Sequence, residues 1–68
     1  MNCREHIVSD PKILGGKPCI KGTRIPVALV IGYLAEGSSV VGIIEEFPDL
    51  TADDVMACVH YARDQADS

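Results

Sequence analysis

The sequence predicts a mainly α fold, with three short helices gathered behind an N-terminal β-hairpin or ribbon. Three observations predict it. The segment GGKPCIKGTRIPV, residues 15 to 27, places three glycines and two prolines among the β-formers Ile20, Thr23, Ile25 and Val27, a composition that no helix tolerates. From Pro26 onward, apolar residues recur at i, i+3, i+4 and i+7 in three successive segments. Each of those segments is bounded by residues suited to helix ends: Pro26, Ser39 and Thr51 at the starts, Gly37 and Pro48 at the stops.

The ribbon is expected over about residues 7 to 25. Pro18 and Pro26 lack backbone donors and bias the residues before them toward extended conformations. Gly15, Gly16 and Gly22 permit turns or close backbone approach. With Lys17, Lys21 and Arg24 among these residues, the ribbon is a basic element.

The first helix is expected over about 26 to 36, with Val27, Val30, Ile31 and Leu34 on one stripe. Ala28 and Leu29 lie off that stripe, and no charge precedes Glu36. A helix that is apolar on most sides is buried on most sides, so Ala28 and Leu29 are candidates for a dimer interface.

The second helix, about 39 to 47, has Ser39 as N-cap and Val40, Ile43, Ile44 and Phe47 on its inner face, with Glu45 and Glu46 outside. Gly42 stands where a Glu completes a capping box, so this helix is expected to fray. The third, about 51 to 64, opens on a Thr51-x-x-Asp54 box, with Asp53 and Asp54 favoured by the helix dipole. Its stripe is Val55, Cys58, Val59 and Ala62, and residues 64 to 68 are expected to fray for want of a large apolar residue. The short FPDLT connection gives the last two helices the proportions of a helix-turn-helix.

Sixty-eight residues form one domain, 1 to 68, with too small a core for ample stability. Oligomerisation is the expected remedy, and a homodimer the expected assembly. An odd count of three cysteines and the lack of an apolar N-terminal stretch point to a reducing cytoplasm. The longest uncharged run, Ile25 to Ala35, has 11 residues, short of the roughly 20 that span a bilayer.

The net charge of −4 is unevenly distributed. Residues 1 to 34 carry five cations against two acids, a net +3, whereas residues 35 to 68 carry Arg63 against eight acids, a net −7. Such a division suits two partners, one anionic and one basic.

Several chemistries are disfavoured. Lys21, Gly22 and Thr23 are followed by Arg-Ile-Pro, not the helix start that a phosphate-binding loop needs. Cys3, His6, Cys58 and His60 have zinc-like spacings, yet His60 points about 200° from Cys58 around a helix, so no metal or other cofactor is expected. Cys19 lies near two lysines but has no histidine beside it in sequence. With no catalytic residues assigned, the chain is not expected to be an enzyme.

The ordered run IVSDPKILGGKPCIKGTRIPV, the helix ending AEG, and SSVVGIIEEFPDLTADDVMACVHYA resemble the DUF433 family over about residues 7 to 62. The resemblance implies a homeodomain-like helix-turn-helix with an N-terminal β-hairpin. It also implies an antitoxin of a type II toxin–antitoxin pair, whose partner is a PIN-like ribonuclease toxin. The chain departs from the family pattern at Val40 and Val41, where Pro and Glu are usual.

That implied fold raises binding of operator DNA. A recognition helix here starts with Thr51 and Asp53, but the carboxylates at this helix start repel phosphates. Lys17, Lys21, Thr23 and Arg24 of the ribbon are the better candidates, because a two-stranded ribbon fits the major groove and its cations neutralise phosphates. The alternative to an antitoxin is a stand-alone DNA-binding regulator without a toxin, for which the same ribbon suffices.

Overall fold

Backbone chemistry in the basic segment limits how much of it becomes strand. In a computed structural model, which describes residues 3–67, strand β1 (Ile7–Val8) pairs antiparallel with β2 (Cys19–Ile20). The register places Ile7 opposite Ile20 and Val8 opposite Cys19. Ten residues separate the two strands, and within them Leu14, Gly15 and Gly16 adopt φ of 50, 66 and 89°. Leu14 is the costly member, since the left-handed region crowds a side chain. The expected continuous ribbon over 7 to 25 is therefore two short strands joined by an irregular loop.

The second half of the basic segment folds back on β2. Ile20 N–H donates to Ile25 O at 2.9 Å, Cys19 bridges to Pro26, and Val27 N–H donates to Pro18 O at 2.9 Å. Between these arms Gly22 has φ 81°, and Thr23 N–H donates to Ile20 O at 3.0 Å, closing a tight turn. Pro26 has no N–H to give, so the third arm never becomes a regular strand.

Helix α1 (Val27–Ala35) begins directly after Pro26. It ends in a Schellman motif: Gly37 N–H donates to Leu34 O and Ser38 N–H to Tyr33 O, both at 3.0 Å, with Gly37 at φ 99°. Helix α2 (Val40–Glu46) is capped by the Ser39 hydroxyl, which accepts from Gly42 N–H at 3.0 Å. Helix α3 (Ala52–Asp67) carries the expected box, in which Thr51 N–H donates to Asp54 Oδ2 at 3.0 Å and Asp54 N–H to Thr51 Oγ1 at 3.1 Å. Instead of ending at 64, α3 continues to Asp67, the intrahelical ladder extending past the last large apolar side chain.

The core gathers Ile20 of β2, Val27 and Val30 of α1, Ile43 of α2, Leu50 of the connecting turn, and Val55 and Cys58 of α3. Tyr33 and Phe47 close one side edge to face, with ring centroids 5.6 Å apart at 79°. Val59, expected in the core, is 38 % exposed, while Ala57 takes the buried place. At 100° per residue the buried arc runs from Val55 through Cys58 to Ala57, and Val59 falls about 40° outside it, on the far side of Val55. The chain is thus mainly helical, three helices with a two-stranded antiparallel sheet.

Candidate functional site

The turn between Ile20 and Ile25 presents Lys21 and Arg24, both exposed. Lys17, also exposed, sits at the opposite end of β2. Among the described residues none of these three cations forms an ion pair. Thr23 is different. Its hydroxyl donates to Ile20 O at 2.8 Å and accepts from Ile25 N–H at 3.0 Å, so it builds the turn and is occupied in holding it closed.

The acids form the complementary surface. Glu45 and Glu46 at the end of α2, Asp49 in the turn and Asp53 at the start of α3 are all exposed. Arg63, the cation of α3, pairs with its neighbour Asp64 at 3.5 Å, both largely exposed, and such a surface pair contributes little. At the α3 N-terminus, Thr51 and Asp54 bond to each other in the box, whereas the Asp53 carboxylate between them makes no hydrogen bond or ion pair among the described residues.

Asp54 has a further partner that local patterning does not reveal. His6 Nδ1 lies 2.9 Å from Asp54 Oδ1, tying the residue before β1 to the start of α3 across 48 positions of chain. Burial alone raises the Asp54 pKa. The Thr51 backbone N–H, the His6 ring, the Thr51 hydroxyl and the charge on His6 outweigh it, leaving the carboxyl below its ordinary value. His6 also accepts through its carbonyl from Lys21 N–H at 2.7 Å, so one residue links the basic turn to the acidic helix.

The cysteines separate by environment. Cys58 is fully buried, and burial, followed by the nearby Asp54 charge, pushes its thiol up to about 11. Cys19 is buried with its thiol directed to Lys17 O at 3.2 Å, and Cys3 is half-buried. Among the described residues no group of three or more His, Cys, Asp or Glu side chains is arranged to hold a metal ion. Nor, among them, is any helix long and apolar enough to cross a membrane.

The outer side of α1 is the remaining feature. An open groove of ≈ 610 Å³ lies between α1 and α3, lined by Val27, Ala28, Ile31, Gly32, Tyr61 and Ala62 among others, with Lys17 also on its wall. A smaller hollow of ≈ 320 Å³ lies on the other flank, lined by Ala28, Leu29, Gly32, Tyr33 and Glu36. Ala28 is exposed and Leu29 is 42 % exposed, so the two candidate interface residues stand on this uncovered side.

A small, mainly helical unit of three helices with one antiparallel strand pair is the class that this geometry defines. Residues 7–62 match the family described as "Protein of unknown function (DUF433)", and the chain belongs to that family. The crystal structure of a DUF433 member protein from Anabaena variabilis ATCC 29413 superposes with a TM-score of 0.84 at 32% identity, covering 91% of this chain and 61% of that one. A protein named "Uncharacterized protein y4eO" from Sinorhizobium fredii (strain NBRC 101917 / NGR234) is 42% identical over 60 residues. That match takes in 88% of this chain but only 27% of the relative, so the chain spans about a quarter of the curated protein it matches.

Proposed function

We propose that this chain is a cytoplasmic antitoxin that binds and neutralises a PIN-like ribonuclease, and that its homeodomain-like helix-turn-helix also contacts operator DNA through the basic turn. The observation that carries the reading is the division of charge. Glu45, Glu46, Asp49 and Asp53 are exposed along the second helix, the turn and the third helix, while Lys17, Lys21 and Arg24 are exposed elsewhere and form no ion pair among the described residues. A nuclease that binds RNA presents cations or metal ions around its active site, and an acidic face is complementary to either. The chain supplies no catalysis of its own in this reading. It acts by occupying the nuclease.

DNA contact falls to Lys21 and Arg24, because Asp53 repels phosphates from the third helix and Thr51 is engaged with Asp54. The lack of an ion pair at Lys21 and Arg24 among the described residues also favours the second reading, a stand-alone DNA-binding regulator. Expression of the neighbouring gene product with and without this chain tests the first. The expected outcome is growth arrest by the neighbour, restored growth on co-expression, and co-purification of the two. A neighbour harmless by itself, with promoter DNA still retarded by this chain in a salt-dependent manner, supports the regulator instead.

A further inference from the structure

We propose that the outer side of α1 is a two-fold interface on which a second copy of this chain docks antiparallel, with Lys17 of each copy facing Glu36 of the other. This inference is independent of the antitoxin reading. It starts from an anomaly on a solvent-facing helix side, which is ordinarily polar. Here it presents Ala28, Leu29, Gly32 and Ala35, all exposed, and the first charge is Glu36 just beyond the helix.

Gly32 is the second observation. It sits in the helix interior, where glycine is among the least favourable residues. Its φ is not in the positive range, and a Cβ built on it meets no atom within 4 Å, so nothing in the single chain calls for glycine there. A closely approaching helix does. Ala28 and Gly32 line both hollows of this side, so together they form the floor on which a neighbouring backbone can rest, with Leu29 beside them as a knob.

Charge selects the occupant and its direction. Val27 N–H binds Pro18 O, which holds Lys17 near the N-terminal end of α1, while Glu36 caps the C-terminal end. Neither has an ion-pair partner among the described residues. Antiparallel packing about a two-fold axis brings each Glu36 over the other copy's Lys17, whereas parallel packing sets the two Glu36 side by side. The nine residues of α1 span about 14 Å, a length that long Lys and Glu side chains bridge at both ends. A chain of this size also gains from burying more apolar surface than it can cover alone.

Sedimentation equilibrium on the full chain tests the proposal, with helical circular dichroism recorded for every variant. The unaltered chain is expected to sediment as a dimer, and Gly32→Arg as a monomer of unchanged helicity. Glu36→Lys alone and Lys17→Glu alone are each expected to weaken the dimer about tenfold at low salt, and the two together to restore it. The two charge variants leave the helix face untouched, so they report on the geometry even if Gly32→Arg folds poorly. A monomer at every accessible concentration, a Gly32→Arg dimer of undiminished affinity, or a double reversal no tighter than the single ones overturns it.

Discussion

His6 and Asp54, 48 residues apart, meet at 2.9 Å, and through them the segment leading into β1 is fastened to the first turn of α3. Asp54 thereby joins two segments: Thr51, whose hydroxyl accepts from the Asp54 backbone N–H and whose own N–H donates to Oδ2, and His6 through Oδ1. The basic turn follows, because Lys21 N–H is bonded to His6 O.

Stability should depend on pH through Asp54. Its folded-state pKa lies below the ordinary 3.8, so its contribution is fully present above the unfolded value and is lost as pH falls through the lower folded value. Asp54→Asn is expected to cost about 1 to 2 kcal/mol at neutral pH, from loss of the box and of the charged acceptor. Below about pH 4 the unaltered chain should lose stability faster than the variant. Urea unfolding followed by circular dichroism at neutral and acid pH checks this, and parallel pH profiles of the two proteins would contradict it.

The basic turn should separate into a structural residue and dispensable ones. Thr23→Val removes both hydroxyl bonds and strands Ile25 N–H, at a cost of about 1 to 2 kcal/mol. Arg24→Ala, at an exposed position without an ion pair among the described residues, should shift stability by less than about 0.5 kcal/mol. Thermal unfolding of the two variants side by side decides whether Thr23 acts on the turn or on a ligand.

Thiol accessibility should follow burial. Native alkylation at mildly basic pH is expected to modify Cys3, to spare Cys19, and to leave Cys58 untouched, its thiol being buried and raised to about 11. Peptide mapping reads the result, with labelling in urea as the reference in which all three react. Rapid native labelling of Cys58 would show that α3 opens from the core.

What the sequence made legible was local. Pro26, Ser39, Gly37 and the Thr51–Asp54 box carry their conformational preferences in their own side chains or in the lack of one, and each marks a helix end in the structure. The strand extent was less legible, because β-formers such as Ile25 and Val27 are equally at home in a turn arm and a helix start. Pairing there was decided by Pro26, which has no N–H, and by Thr23 closing the turn. The His6–Asp54 contact had no signature, since neither spacing nor composition reports a pairing across the whole fold. The groove was hidden for a related reason: Tyr61 and Ala62 meet α1 only after the helices pack.

RNA cleavage by the purified product of the neighbouring gene, titrated with this chain, tests most directly whether the acidic face blocks an enzyme while the basic turn serves another purpose. The expected result is that the unaltered chain and the Lys21→Glu/Arg24→Glu double variant both abolish cleavage near one equivalent, whereas Glu45→Lys/Glu46→Lys/Asp49→Lys does not. Undiminished cleavage at saturating unaltered chain, or full inhibition by the acid-reversed chain, would contradict it.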